Sequence, residues 1–509
     1  MAVAVPRRRL LGMPDAMHGR IRRVAPGLAL LGLVAASAVL RTSAIDAGYW
    51  IDEGISVGIA QHSPTDIPGV LSQDGSPPLY YLLLSVWTSA FGAGETATHA
   101  LSLLAALAAI PVALWAGRAL FGVRAGWIAA AMVATLPLLT VHAQETRMYA
   151  LVALLSLLVS VTFTLAFVRG SRRALAAFVA LAAALAYTHN WGLLLLFGLA
   201  CALPVAARAR GLRPVARDAA IAGAALALAY APWIPTLLEQ AEHTGAPWSI
   251  TPDLGGLANP LTVPLDEGAA ALIVVLVAVA GLARVRNAEV AILAIALVVA
   301  GAAAWSLAQL EPGWADRYMA VFVGPVILLA AAGLARAGRV GLVALLAAVV
   351  LWAGTSAPGT KSNVREVAVA TAALTQSGDL IVTTHPEQIA VVRHYTRGER
   401  RWATALGPVS DPRLFDWRDS AERLRAADPR RTLDGLIGGQ PPRHVVLVQP
   451  ADTRPGGPEW LDLVARRSAQ WRAVADGHPR LRRVAVRPPT AAPRHATDVQ
   501  ALVYELREP

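Results

Sequence analysis

Gly48-Tyr49-Trp50-Ile51-Asp52-Glu53-Gly54, followed by Gln73-Asp74-Gly75-Ser76-Pro77-Pro78-Leu79-Tyr80-Tyr81, decides how the chain is read. Two adjacent carboxylates follow the first hydrophobic run of a very apolar sequence. A third, Asp74, stands just before a double proline and an aromatic–aliphatic run. Two acids in an aqueous loop are ordinarily just solvated. Here they sit beside Tyr49 and Trp50, directly after a span and ahead of a short apolar segment. A carboxylate held near a lipid headgroup suits general-base catalysis, which needs an acceptor atom and a way to hold it.

The surrounding composition is that of a membrane protein. Of 509 residues, 55% are hydrophobic and only 16% charged, where a soluble chain carries about 25% charged residues. Mean hydropathy is +0.49. Repeated apolar stretches approach the ~20 residues that cross a bilayer as a helix. The net charge of +11 is almost all arginine, and Lys361 is the only lysine. A basic excess can mean a nucleic-acid partner. These arginines instead cluster in short loops between apolar runs, which points to topology and to no nucleic acid. The single cysteine, Cys201, lies in an apolar run, so neither an intrachain disulfide nor a cysteine metal site is expected.

Arg7-Arg8-Arg9 and the arginines between Arg20 and Arg23 precede the apolar run Val24 to Leu40. The long basic lead and the many later spans favour an uncleaved first span over a signal peptide. Further apolar segments fall at 77–91, 98–117, 125–141, 149–168, 174–187, 191–207, 215–234, 268–283, 288–308, 318–335 and 340–354. If all of them cross, Arg118, Arg124 and every later basic cluster lie opposite the amino-terminal arginines. If 77–91 does not cross, all basic clusters fall on one side, as the positive-inside rule requires. That segment is short and opens with Ser76-Pro77-Pro78, so it reads as an interfacial or re-entrant helix with Tyr80, Tyr81 and Trp87 at headgroup level. The expectation is about eleven spans, amino end inside and carboxyl end outside.

This parity gathers the unusual polar residues on the outer face: Asp52, Glu53 and Asp74, then His99, Glu145, Arg147, Tyr149, His189, Arg317 and Tyr318. Ionisable residues at membrane depth are costly and tend to mark a site. Arginines match phosphate oxygens in geometry, so Arg147, Arg317 and His99 form an expected phosphate grip. Each also has a plainer reading, as a helix-end residue reaching for water. Two acids without His or Cys at ligand spacing give little support for a divalent metal, and no cofactor is expected. The outer loop 237–267, rich in Pro and Gly, reads as a lid. From Pro358 the chain turns polar and arginine-rich, with strand-like runs at 379–384, 444–449 and 500–506 and helix-like runs at 364–376 and 417–427. The expected organisation is a cytoplasmic basic segment 1–23, a membrane catalytic domain 24–357 with its first outer loop at 44–97, and an external α/β domain 358–509.

Taken in order, Tyr-Trp-Ile-Asp-Glu-Gly, Ser-Pro-Pro-Leu-Tyr-Tyr, Gln-Glu-Thr-Arg-Met-Tyr-Ala-Leu, Tyr-Thr-His-Asn-Trp and Asp-Arg-Tyr resemble the GT-C superfamily of polyprenyl-phosphate-sugar-dependent glycosyltransferases. The nearest branch holds the protein O-mannosyltransferases and the aminoarabinose transferase of lipid A. The resemblance spans about residues 24 to 335. His99 stands where that family often has Arg, and Ser76 where it often has His or Lys.

The resemblance implies a multi-span α-helical membrane protein of GT-C type, embedded in the plasma membrane, with an extracytoplasmic α/β domain. It implies an inverting, mannosyltransferase-like enzyme of the cell envelope, with Asp52 as general base and Glu53 as the second acid of the motif. Its partners would be a polyprenyl-phosphate sugar donor and a hydroxyl acceptor on protein, lipid or glycan. Asp74, Tyr80, His99, Glu145, Arg147, Tyr149, His189, Arg317 and Tyr318 would line the substrates. The alternatives are a lipid or sugar transporter or flippase, which needs polar residues near the bilayer midplane, and a structural envelope protein with an external binding domain.

Overall fold

The computed structural model describes residues 15–355, 359–396, 398–439, 441–452, 458–488, 495 and 497–507. Arg7-Arg8-Arg9 and the expected boundary residue Pro358 lie outside the described residues, as do the side chains of Arg20, Arg22 and Arg23. Up to Ala353 the described chain is helical, packed around one extended apolar core.

Among the described residues six helices are long and apolar enough to cross a membrane: Glu95–Phe121, Tyr149–Phe167, Gly192–Arg210, Leu212–His243, Ala288–Leu310 and Asp316–Arg336. A seventh span arises if the pair Leu254–Leu265 and Gly268–Leu282, bent by 93°, counts as one. The remaining expected spans are shorter apolar helices such as Ala25–Leu40, Val123–Thr135 and Arg339–Ala353. At 1.5 Å rise per residue, helices of 13 to 16 residues reach only about 20–24 Å of a hydrocarbon core near 30 Å. By length and composition, then, the span count is six or seven, and the larger expected number depends on these short helices.

Pro137 explains one of the shortenings. A proline has no N–H to give the carbonyl four residues back, so the helix Val123–Thr135 stops and Val133 O loses its partner. Arg41, wholly buried, supplies the missing donor and also bonds Ala106 O. Elsewhere the helices touch through backbone. A Cβ on Gly281 would lie 2.2 Å from Gly333 O, so only hydrogen at that position lets Gly268–Leu282 and Val323–Arg336 meet.

The segment after the double proline forms the 13-residue helix Leu79–Phe91. Tyr80, Tyr81 and Leu84 face the core while Leu83, Val86 and Phe91 are exposed, a one-sided pattern that suits a helix lying in an interface. The expected lid is mostly ordered helix, beginning with Ile234–His243, rather than an open loop.

After Val364 the architecture changes to a six-stranded sheet. Its strands are β1 (Leu380–Thr383), β2 (Arg401–Thr404), β3 (Gly407–Pro408), β4 (His444–Pro450), β5 (Leu481–Arg487) and β6 (Val499–Leu506), in the order β3-β2-β1-β4-β6-β5. β1 runs parallel to β2 and β4, and the other pairings are antiparallel. Three strands coincide with the expected apolar runs. β2 and β5 carry arginines, and β3 is a two-residue edge, so none of these three shows an apolar pattern. One sheet face packs under Leu424, Leu433, Leu436, Trp460 and Trp471.

The other sheet face meets the segment that follows the first apolar helix. Tyr49 and Val57 pack with Val364, Val367, Ile381, Val391 and Val446 in one cluster. The helix Ile51–Ala60 presents two glycines to this unit. A Cβ on Gly54 would fall 2.4 Å from Val391 Cβ, and one on Gly58 1.8 Å from Arg413 O. The carboxyl-terminal unit therefore lies backbone-close against the helix that carries Asp52 and Glu53.

Candidate active site

Trp50 is the extended N-cap of the helix Ile51–Ala60, with Asp52 and Glu53 in its first turn, where carboxylates complement the helix dipole. The two adjacent acids point to different environments. Asp52 Oδ2 lies 3.8 Å from Arg147 Nη2 and 3.6 Å from Arg317 Nη2, partly open to solvent. Glu53 is fully buried. Its Oε1 accepts from His99 Nε2 and from the Thr146 N–H, both at 2.7 Å, and its Oε2 lies 3.3 Å from Lys361 Nζ.

Arg147 is held in place from the helix side. Its Nη1 donates to Ser56 Oγ at 2.9 Å and to the Asp52 carbonyl at 3.3 Å. Arg317 enters a short 3-10 turn, Asp316–Phe322, and lies over Trp248 at 4.4 Å and Trp50 at 5.8 Å from the ring centres. Nε of each arginine is buried and has no hydrogen-bond partner. Buried donors are nearly always satisfied, so these two guanidiniums hold donor capacity that the described residues do not use.

Beside Arg147 opens a cavity of about 270 Å³ lined by Ser76, Tyr149, His189, Asn190, Trp191 and Tyr318 among others. Tyr149, His189 and Tyr318 form an aromatic wall, with His189 and Tyr318 at 4.8 Å. A second cavity of about 400 Å³ shares Ala241, Thr244, Gly245, Ala246 and Glu311 with the first and runs out beneath Trp417 and Trp460 of the carboxyl-terminal unit.

His189 lines the first cavity and is itself buried. Burial, with Arg147 and Arg317 nearby, pushes its imidazole down to about 3, and its Nδ1 accepts the Trp191 N–H at 3.1 Å. A histidine that is neutral when folded but has an ordinary value near 6.5 when unfolded stabilises fully above pH 6.5. That contribution fades as pH falls from about 6.5 toward 3. Replacing His189 with Gln should therefore flatten the acid side of the stability profile. Thermal unfolding of the purified chain should show a smaller loss between pH 7.5 and 4.5, by about 2 kcal/mol. An unchanged difference between the two pH values would show that His189 is not buried in this way.

Two more carboxylates lie near Arg147. Burial pushes the Asp74 carboxyl up, against the pull of Arg147, and Tyr81 Oη donates to its Oδ2 at 3.3 Å. Burial works against ionisation of Glu145 too. There the His142 hydrogen bond at 3.1 Å, Lys361 and Arg147 outweigh it and hold the carboxyl at about 2.

The residues singled out from sequence thus separate into two layers. Asp52, Arg147, Arg317, Tyr149, His189 and Tyr318 converge at or beside the cavity, with Asp74 next to Arg147. Glu53, His99 and Tyr80 lie behind it in the protein. His99, expected in a phosphate grip, has both ring nitrogens occupied, Nδ1 by Ile45 O and Nε2 by Glu53, and has no exposed surface. Glu145 turns toward His142 and Lys361. Sequence reading did not single out Lys361, Ser56, His142 or Trp248. Of these only Lys361 carried a signal, as the one lysine among so many arginines. Among the described residues no three His, Cys, Asp or Glu side chains gather as a metal-binding group.

No protein-family model matches the chain, and no curated protein matches it by sequence. Solved structures do match. ArnT from Cupriavidus metallidurans in the apo state is 16% identical, covers 94% of this chain and 98% of its own, and superposes with a TM-score of 0.62. The same protein bound to undecaprenyl phosphate gives 14% identity, the same coverage and a TM-score of 0.60. The arabinofuranosyltransferase AftD from Mycobacteria is 18% identical with a TM-score of 0.53, the match covering 94% of this chain and 40% of AftD. At these identities the likeness establishes the fold, which is the GT-C fold.

Proposed function

We propose that the chain is a membrane glycosyltransferase that moves a sugar from a polyprenyl-phosphate donor to a hydroxyl acceptor at the outer leaflet, with inversion at the anomeric carbon. The observation that carries this reading is Asp52 set between Arg147 and Arg317, whose Nε atoms have no hydrogen-bond partner among the described residues. The shared fold with a protein solved bound to undecaprenyl phosphate supports a phosphate-linked lipid as donor.

The chemistry follows from the charges. The acceptor hydroxyl gives its proton to Asp52 as its oxygen bonds to the anomeric carbon. The bond from that carbon to the donor phosphate breaks, and the phosphate leaves with the electron pair. A phosphate is already a weak base, so no strong general acid is needed. The work left to the protein is stabilising charge on the departing phosphate, which preorganised guanidiniums do well in a dry site. A donor phosphate competes with Asp52 for both arginines, so donor binding and release of the base are one event. The aromatic wall of Tyr149 and Tyr318 suits a sugar ring, and the second cavity gives the acceptor a way in from the carboxyl-terminal side.

Membranes containing the chain, supplied with a panel of radiolabelled polyprenyl-phosphate sugars, should transfer one label to a second molecule. The product should have the anomeric configuration opposite to that of the donor. Folded protein that moves no label from any donor, or a product with retained configuration, would overturn the reading.

A further inference from the structure

The carboxyl-terminal unit does more than pack against the reaction centre. We propose that Lys361, delivered by the segment that leads into that unit, is a positioning residue for the reaction, holding the base-bearing helix and the arginine-bearing turn in register. This rests on the transferase reading above.

Lys361 Nζ reaches three acceptors from two elements: Gln144 O at 2.8 Å, Glu53 Oε2 at 3.3 Å and Glu145 Oε1 at 3.5 Å. Glu53 follows Asp52 in the first turn of its helix. Gln144 and Glu145 open the turn that presents Arg147. The same Glu53 accepts the Thr146 N–H, so helix and turn are joined at one buried carboxylate and Lys361 closes the joint from outside.

The lysine does not hang on a loose tether. Thr497 Oγ1 donates to the Lys361 carbonyl, Asn363 N–H donates to Asp498 Oδ1 at 3.0 Å, and Asn363 exchanges side-chain bonds with the Val499 backbone at 2.7 and 3.0 Å. The start of β6 therefore fixes where the ammonium sits. The residue type fits the task. Three acceptors set around a point suit a compact ammonium with three rotatable donors, whereas a planar guanidinium aims its donors in a fork. In a sequence that otherwise uses arginine for every basic side chain other than histidine, the single lysine stands at this position.

The test uses the full-length chain, purified, with turnover and thermal stability measured for each variant. Lys361→Met should lower kcat by about 10²-fold, the loss expected when reacting groups shift by about 1 Å, with a much smaller change in donor KM. In Lys361→Ala, millimolar ethylammonium should raise kcat. It should do nothing for wild type or for Asp52→Asn. If Lys361→Met proves unstable, the pair Lys361→Met with Glu145→Gln removes one charge of each sign and restores folding. Turnover that stays low in that double variant supports positioning, and full recovery along with stability overturns it. Wild-type kcat in folded Lys361→Met also overturns it. If Asp52→Asn, assayed alongside, is as active as wild type, the assignment of Asp52 as base in the reading above has failed, and if wild type itself moves no sugar the transferase reading has failed. If Asp52→Asn is dead and Lys361→Met is not, only the present inference falls.

Discussion

Asp52→Asn should lower sugar transfer by about 10²–10⁴-fold, the contribution of a positioned general base, while the protein stays folded and still binds donor. The amide is nearly the same size as the carboxylate and retains an oxygen toward Arg147 and Arg317, but it takes no proton at neutral pH. The neighbouring acid provides the contrast. Glu53 is fully buried with His99, Lys361 and the Thr146 N–H around it. Disrupting a buried charge pair from one side costs about 3–5 kcal/mol, so Glu53→Gln should show its damage first as a lower thermal midpoint. Near-normal transfer in Asp52→Asn membranes would refute the mechanism. A severe turnover loss in a fully stable Glu53→Gln, with Asp52→Asn unaffected, would move the base one residue along.

Removing either arginine should weaken donor binding by about 10–100-fold, since a hydrogen bond to a charged group is worth about 1.5–3 kcal/mol. Arg147→Ala and Arg317→Ala carry the prediction. Arg169→Ala is the control, because that side chain is well exposed and pairs with Glu289 away from the cavity. Lysine at position 147 should rescue only in part, because it cannot satisfy Ser56 and a phosphate with one planar fork. Both arginines lean on the same Asp52 oxygen, so the double variant should be non-additive. The measurement is the Kd of undecaprenyl phosphate for purified protein. Equal affinity across all five variants would remove the phosphate assignment.

Much of this centre was legible because chemistry and topology agree in the sequence. Arginine parity placed Asp52, Arg147 and Arg317 on one face, and the structure puts both guanidiniums within 4 Å of the Asp52 carboxylate despite the long stretches of chain between them. What could not be read depends on contacts that leave no local pattern. His99 and Arg147 look alike in sequence, polar residues at span ends. Yet one turns inward to a carbonyl and a carboxylate, and the other lies beside the cavity. Trp248 lies in a Pro- and Gly-rich stretch and matters only because Arg317 comes to rest on it. The span count rests on a similar contact. Hydropathy registers the apolar run from Ala125 to Val141 but not that Pro137 cuts it and that Arg41 must then cap the freed carbonyl.

Gly54 and Gly58, four residues apart on the helix that bears Asp52, press their bare backbone onto Val391 and Arg413. A contact without side chains has no slack to redistribute. The composition shift near residue 358 is thus a seam in the sequence but not a seam in the machine. Anyone grafting the carboxyl-terminal unit of a distant homologue onto these helices would have to carry residues 48–62 along with it. A hybrid cut at the composition boundary would place a foreign loop where only two hydrogens fit, and would be expected to lose the reaction centre even with every membrane helix left untouched.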